Sequence, residues 1–122
     1  MSSFTPGYAY KLKLNYTNPP KPKYAICVCG KRPLFLLIST EPRTRYNQDS
    51  QVQVTPSELL FLTHNSFVNT GESVTMVEPV SGRLLKDYGP IPEGVKQRII
   101  DAIAKSQTLS PRFITLFTTN LS

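Results

Sequence analysis

Alternation of apolar and charged side chains is the first regular pattern in the chain. Residues 8–14 read Y-A-Y-K-L-K-L, so apolar side chains at every second position alternate with Lys11 and Lys13. A period of two is that of a strand with one buried and one solvated face. We therefore predict a first strand over residues 8–14. The proline-rich residues 18–22 that follow predict an extended loop, because proline and the residue before it disfavour helix.

Two nearly continuous apolar runs predict a β-hairpin in the middle of a sheet. The runs are residues 24–28 and 34–39, and the turn-forming residues 30–33, Gly-Lys-Arg-Pro, separate them. Strands that are apolar at nearly every position are typical of strands buried on both faces. We therefore predict that these two strands pair with each other at the centre of the sheet.

Shorter patterns predict further strands and one helix. Strands are predicted at 51–55, 67–68 and 73–77, with a short helical turn at 56–60 and a turn at 69–72. The spacing of Val95, Ile99, Ala102 and Ile103 predicts an amphipathic helix over about residues 92–106, with Pro92 at the first helical position. Residues 113–117 are predicted to return as a last strand.

The element order predicts a mostly β domain with a C-terminal helix. Five to seven short strands with many turns favour a small barrel or a strongly bent antiparallel sheet. A chain of 122 residues with 39% hydrophobic residues can bury a core without disulfides or metals. We expect a single domain over residues 1–122, with its core at about 8–117.

The charge of the chain indicates an anionic partner. Fourteen Lys and Arg face eight acids, for a net charge of +6. Eight of the basic residues fall within the first 45 positions, against the single acid Glu41: Lys11, Lys13, Lys21, Lys23, Lys31, Arg32, Arg43 and Arg45. We predict that the N-terminal half builds a basic face that binds nucleic acid or an acidic protein. With no long apolar run and no apolar signal region, we expect no membrane span and a cytoplasmic protein.

Cys27 and Cys29 form a C-x-C pair that has two interpretations. On a regular strand both side chains would lie on the same face. They are either half of a metal site with His64 or two small buried hydrophobic residues, and we favour the second. Free thiols are typical of a reducing compartment. We expect neither a metal nor another cofactor.

The common catalytic motifs are absent from the sequence. It contains no phosphate-binding Gly-rich loop and no Gly-x-Ser-x-Gly elbow. The eight acids are scattered along the sequence, which disfavours a metal-dependent nuclease. His64 is either a catalytic base or, as we favour, a surface group. RNA can be cleaved without metal, because its 2′-hydroxyl attacks the neighbouring phosphate when a proton acceptor, a proton donor and a cation are supplied.

Several segments resemble toxins of the PemK/MazF-like family. Residues 22–28 and 34–40 resemble the paired central strands of that family, in which a basic residue and a proline open one strand and a hydroxyl residue ends the next. Residues 62–69 are similar to a family segment in which His or Asp precedes Ser and an aromatic residue. Residues 88–92, with the helix after them, are similar to the closing helix. The resemblance covers about residues 21–106.

The resemblance implies a fold, an activity and partners. It implies an SH3-like barrel, usually a homodimer, that cleaves single-stranded RNA without metal. It also implies an acidic antitoxin protein that holds this activity in check. The alternative is a non-catalytic module on the same barrel that binds nucleic acid or protein.

Two registers carry the family's Arg-Pro and hydroxyl positions onto this chain. In the first, which we favour, Lys21-Pro22 takes the Arg-Pro position, Ser39-Thr40 supplies the hydroxyl and Arg43 the guanidinium. In the second, Arg32-Pro33 is the Arg-Pro pair and Thr55 the hydroxyl. The resemblance thus implies candidate catalytic residues Thr40, Ser39, Arg32 and Arg43, and candidate RNA-binding residues Lys21, Lys23, Lys31, Arg45 and His64.

Overall fold

The computed structural model contains seven strands and two helices among the residues that it describes. Those residues are 4–14, 21–30, 34–39, 51–70, 74–75, 84–106 and 109–121. The elements are β1 (Tyr8–Leu14), β2 (Lys21–Cys29), β3 (Leu34–Ser39), β4 (Gln51–Val54), β5 (Ser66–Asn69), β6 (Val74–Thr75), β7 (Leu84–Pro90), α1 (Glu93–Ala104) and α2 (Pro111–Leu121). The mostly β class and the amphipathic helix near residues 92–106 are confirmed.

The strands form one antiparallel sheet with the predicted hairpin at its centre. The order is β4-β5-β3-β2-β1-β7, and the short β6 pairs with β3 outside that path. All the strand pairs are antiparallel. No pairing within the described strands joins β4 to β7, so the sheet is open. Of the two architectures that the sequence predicted, the structure has the bent sheet rather than the closed barrel.

The two helices cover one face of the sheet, which we call the helix face. Strand residues such as Ile26 and Leu36 share one buried cluster with helix residues such as Ile99 and Phe117. α1 contacts α2 and β4, and α2 contacts β2. The helix face thus holds the larger part of the core.

The other side of the sheet, which we call the opposite face, carries a second buried cluster. Its members are Phe4, Tyr10, Leu12, Ala25, Cys27 and Phe35. The ring of Phe4 meets those of Tyr10 and Phe35 edge-on, with centroids 5.0 Å apart in each pair. The Tyr10 hydroxyl accepts a hydrogen bond from the Thr5 backbone at 2.8 Å, so its polar end is paired. This cluster explains why β2 and β3 are apolar at almost every position.

The prediction of a last strand at 113–117 is wrong, because these residues belong to α2. The Ser110 hydroxyl accepts a hydrogen bond from the Phe113 backbone at 3.4 Å, and Pro111 begins the helix, where its missing donor does no harm. Phe117 and Leu121, four residues apart, are both buried. The chain therefore ends in two helices, since this spacing buries the apolar side chains on one helical stripe.

β7 was not predicted, and β2 begins earlier than expected. The predicted loop over 18–22 overlaps the start of β2, where Pro22 pairs with Lys13 of β1. On its other side, the pairing of β2 with β3 extends only to Tyr24. Pro22 therefore lies where its missing N–H costs no bond to β3.

The two cysteines are buried, as predicted, but they do not share a face. Cys27 belongs to the cluster on the opposite face, whereas Cys29 belongs to the cluster on the helix face. A β-bulge between them shifts the register, so that Cys27 pairs with Phe35 and Cys29 with Leu34. Burial raises the pKa of Cys27 to about 12. Both cysteines are free thiols.

Within the described helices, none is long and apolar enough to cross a membrane.

Candidate nucleic-acid interface

The structure describes the side chains of three predicted site residues: Lys23, Ser39 and His64. Lys21 is described by its backbone alone, at the start of β2. The other predicted site residues lie outside the described residues: Lys31, Arg32, Thr40, Arg43 and Arg45. The candidate interface is therefore built from the first three and their neighbours.

Lys23 of β2 and Ser39 of β3 lie at the same end of the two central strands. The last pair between β2 and β3 is Tyr24 with Ile38. Continuing this register by one residue sets Lys23 opposite Ser39. Directly opposed residues have Cβ atoms about 4.5–5.5 Å apart. The side chains of Lys23 and Ser39 therefore start from neighbouring positions on the opposite face.

The same line of residues continues across two more strands. Ser39 pairs with Phe67 of β5, and Phe67 pairs with Gln53 of β4. Lys23, Ser39, Phe67 and Gln53, which we call the cross-strand row, are half-buried except for Gln53, which is exposed. The row combines a cation, a hydroxyl, an aromatic ring and an amide, which are the groups that bind phosphate and bases in nucleic-acid sites.

His64 is an exposed side chain in the segment before β5. Its backbone carbonyl accepts a hydrogen bond from the hydroxyl of Ser66 at 3.0 Å. The cysteines are buried whereas His64 is exposed, so the three do not form a metal site. In the described part of the chain, no group of three or more His, Cys, Asp or Glu side chains is arranged to hold a metal ion.

Thr55, the hydroxyl of the second register, takes part in a local turn. Its Oγ1 lies 2.9 Å from the hydroxyl of Ser57 and donates to Oε1 of Glu58 at 3.2 Å. The 24–28 run lies in the central hairpin, as the first register requires. These two observations favour the first register.

The two lysines of the predicted basic face whose side chains are described lie on different faces. Lys11 pairs with Tyr24 on the helix face, whereas Lys23 pairs with Leu12 on the opposite face. Successive residues of a strand point to opposite sides, so a run of basic residues in the sequence is divided between both faces. The prediction of a single basic face is therefore wrong for these two residues.

Three aromatic rings form a second candidate surface that the sequence did not reveal. Tyr24, Phe61 and Tyr88, which we call the aromatic patch, are half-buried at the edge of the helix-face core. Phe61 and Tyr88 are stacked, with centroids 4.2 Å apart and planes at 14°. The centroid of Tyr24 lies 5.0 Å from that of Phe61 and 6.0 Å from that of Tyr88.

Two lysines lie over rings of the aromatic patch. Nζ of Lys11 is 5.8 Å from the centroid of Tyr24, and Nζ of Lys86 is 5.3 Å from the centroid of Tyr88. Both distances are within the range of a cation–π contact. Lys11 of β1 also pairs with Lys86 of β7, so the two lysines occupy directly opposed positions on neighbouring strands.

A β-bulge turns Tyr88 toward the patch. Ala9 pairs with Gly89 and Tyr10 with Asp87, which leaves Tyr88 as the extra residue on β7. Bulges commonly redirect a side chain in this way. Gly89 follows with a φ of 83°, which favours glycine. Burial, as the largest cause, and the neighbouring Tyr24 hydroxyl raise the pKa of Tyr88.

Arg98 of α1 holds the segment that carries Phe61. Its guanidinium donates to the carboxylate of Glu58 and, at 3.1 Å, to the carbonyl of Gln53. The other carboxylate oxygen of Glu58 accepts from the Thr55 backbone at 3.1 Å. The turn that precedes Phe61 is therefore tied both to β4 and to α1.

No protein-family model matches this chain, and the curated proteins contain no significant match to it. Membership of the PemK/MazF-like family therefore stays a prediction, carried by the sequence segments described above.

Proposed function

We propose that this chain is a metal-independent endoribonuclease that cleaves single-stranded RNA, and that it acts as the toxin of a toxin–antitoxin module. The observation that carries the proposal is the cross-strand row, in which Lys23 and Ser39 lie at the same end of the central strands β2 and β3. This is the end at which the resemblance expects its basic and hydroxyl residues. The scattered acids of the sequence and the net charge of +6 also support it.

The proposed reaction needs no group outside the protein and the RNA. The 2′-hydroxyl of one nucleotide attacks the adjacent phosphorus, and its proton passes to an acceptor on the protein. The bond from phosphorus to the 5′-oxygen breaks, and that oxygen takes a proton from a donor. The products are a 2′,3′-cyclic phosphate and a 5′-hydroxyl.

The proposed roles follow the chemistry of each side chain. The hydroxyls of Ser39 and Thr40 contact the reacting phosphate and relay protons, and Arg32 or Arg43 stabilises its developing charge. Lys23, with Lys21, Lys31, Arg45 and His64, holds the RNA backbone. The ring of Phe67 offers a surface on which a base stacks.

The test is cleavage of single-stranded RNA by the purified chain in buffer with a chelator. The parent should produce fragments, and Thr40→Ala should lower the rate by about 100-fold or more, the usual contribution of a group that transfers a proton. Thr119→Ala, the same change at an exposed position of α2, is the matched control and should cleave like the parent. Intact RNA with the parent, or equal rates for Thr40→Ala and Thr119→Ala, would contradict the proposal.

A non-catalytic RNA-binding module is the second candidate. It is favoured by the composition of the cross-strand row, since Lys23, Phe67 and Gln53 are all groups that bind without reacting. Binding that weakens steeply with salt, with no cleavage under any condition, would support this candidate over the first.

The proposed cytoplasmic location and the proposed protein partners are supported by other features of the chain. Two free cysteines fit a cytoplasmic protein. The positive net charge suits an acidic antitoxin, and the homodimer is implied by the resemblance alone. Co-expression with the product of a short neighbouring acidic reading frame, followed by co-purification, tests the antitoxin.

A further inference from the structure

We propose that the aromatic patch is a separate binding site for single-stranded nucleic acid, in which bases stack on Tyr24, Phe61 and Tyr88 while Lys11 and Lys86 contact the phosphates. The inference goes beyond the proposed cleavage, since it holds for a strand that is bound and never cut.

The rings are arranged as a platform. Phe61 and Tyr88 are nearly parallel at 4.2 Å, so no base fits between them and stacking must occur on an outer face of the pair. Tyr24 is tilted at 44° to Phe61 and widens the aromatic surface. All three rings remain half-buried rather than fully enclosed. Base stacking on such rings tolerates any sequence, because every base has a π-face.

The lysines supply the charge that a nucleic-acid strand requires. Lys86 is exposed and Lys11 is half-buried, and each ammonium group already lies over a ring of the patch. A base that stacks beside these groups brings its phosphates near two cations. This combination of ring faces and cations favours an anionic ligand with flat groups over an acidic peptide.

A cleft beside the stacked pair gives room for a flat group. It has a volume of about 260 Å³ and is lined by Leu60, Phe61, Tyr88, Ile91 and Pro92, among others, with Glu58 as the one charged residue among the described lining residues. This volume is slightly below the roughly 300–1,000 Å³ of pockets for drug-sized ligands. A single base is smaller than such ligands, so the cleft suits it.

The aromatic patch and the cross-strand row are on different sides of the molecule. Lys23 and Tyr24 are consecutive in β2, so the row lies on the opposite face and the patch on the helix face. A change at one site therefore leaves the groups of the other untouched.

The experiment uses the absence of tryptophan from the chain. In Phe61→Trp, the only tryptophan reports on the patch, and it is titrated with fully 2′-O-methylated single-stranded RNA, which cannot be cut through its 2′-oxygen. Single-stranded DNA of the same sequence is the second probe. Saturable quenching of the tryptophan fluorescence by the methylated RNA supports the site, whether or not the DNA also quenches it. Unchanged fluorescence at concentrations that bind the protein would overturn it.

A second set of variants tests the site without tryptophan. Here the same 2′-O-methylated RNA carries a fluorescent label, and Phe61→Leu should weaken its binding by roughly fivefold or more, as expected for loss of one base stack. Phe113→Leu is the matched control, because Phe113 is also half-buried and stacked on another ring, 5.4 Å from Phe117. Equal affinities of these two variants would contradict the proposal.

Variants of Lys11 and Lys86 test whether these lysines contact the phosphates of the bound strand. Lys11→Gln with Lys86→Gln should reduce the slope of log affinity against log salt by about 1.4 for a single strand, which corresponds to two lost phosphate contacts. An unchanged slope would contradict the proposal, even if Phe61→Leu failed to fold. Cleavage is not read out here, so failure of the patch and failure of the endoribonuclease proposal are distinguishable.

Discussion

Lys23 and Tyr24 are adjacent in β2, yet their side chains lie on opposite faces of the sheet, one in the cross-strand row and the other in the aromatic patch. Both sides of the central strands thereby carry a surface that combines lysine side chains with aromatic rings. The buried clusters lie alongside these surfaces and hold the backbone that carries them.

Gly89 should be intolerant of a side chain for reasons of backbone conformation alone. Its φ is 83°, and a Cβ added there would meet nothing within 4 Å. Gly89→Ala should lower the free energy of unfolding by about 1–2 kcal/mol, the cost of a left-handed conformation in a non-glycine residue. Urea denaturation measures the change.

Gly94, in the first turn of α1, is the matched control for this change. A Cβ there also meets nothing within 4 Å, and its φ is ordinary. Gly94→Ala should raise the free energy of unfolding by about 0.5–1 kcal/mol. The same sign for both variants would contradict the backbone argument.

α2 should be an integral part of the core. Phe117 is fully buried among residues of the sheet and of α1. Phe117→Ala should lower the free energy of unfolding by about 3–5 kcal/mol, because it removes apolar contacts and leaves a cavity. Thr119→Ala, at an exposed position of the same helix, should change it by less than about 0.5 kcal/mol. A small effect of Phe117→Ala would show that α2 is not packed as described.

Cys27 should make the protein less stable at alkaline pH. The pKa of its thiol is about 12 in the folded state, against 9.0 for an ordinary thiol. Because the folded pKa is raised, the contribution to stability is complete below pH 9 and is lost as the pH rises toward 12. The free energy of unfolding should fall by up to about 1.4 kcal/mol for each pH unit in this interval.

Comparison with Cys27→Ala isolates this contribution. Burial also raises the pKa of Tyr10, which titrates in the same direction. The decline with pH should therefore be shallower in Cys27→Ala without disappearing. Parallel pH profiles for the parent and the variant would show that the thiol does not contribute.

The contact between Arg98 and Glu58 should stabilise the turn before Phe61 only modestly. The side chains are 44% and 33% exposed, so solvent screens their attraction. A double-mutant cycle with Arg98→Ala and Glu58→Gln should give a coupling of about 0.2–1 kcal/mol that decreases in high salt. A coupling that salt does not change would indicate a contact dominated by packing.

The sequence predicted those elements whose own pattern is strongly periodic. β1 alternates, the runs of β2 and β3 are apolar, and α1 has Val95, Ile99 and Ile103 on one side. In each of these elements local preference and burial agree, so the sequence was enough to locate them.

α2 and β7 show why the remaining elements were missed. The run Phe-Ile-Thr-Leu-Phe at 113–117 has the composition of a strand, but capping by Ser110 and the burial of Leu121 favour a helix. β7 contains Lys86, Asp87 and Gly89, which disfavour a strand, and it forms by pairing with β1.

The candidate sites were only partly predictable for a related reason. Ser39 and Lys23 could be proposed because each lies at the end of a clear strand. The aromatic patch combines residues 24, 61 and 88 from three separate segments, and a bulge turns Tyr88 toward the other two. No local pattern in a single sequence indicates such a contact between distant residues.

The most direct test of the proposed function is a comparison of two RNA strands that differ by one oxygen atom. The site of cleavage is first mapped on the unmodified strand, and a single 2′-deoxynucleotide is then introduced immediately 5′ of the cut phosphate. The proposed mechanism predicts that the unmodified strand yields a 2′,3′-cyclic phosphate and a 5′-hydroxyl in chelator, and that the modified strand is not cut at that position. Equal cleavage of both strands, or cleavage of neither, would contradict it.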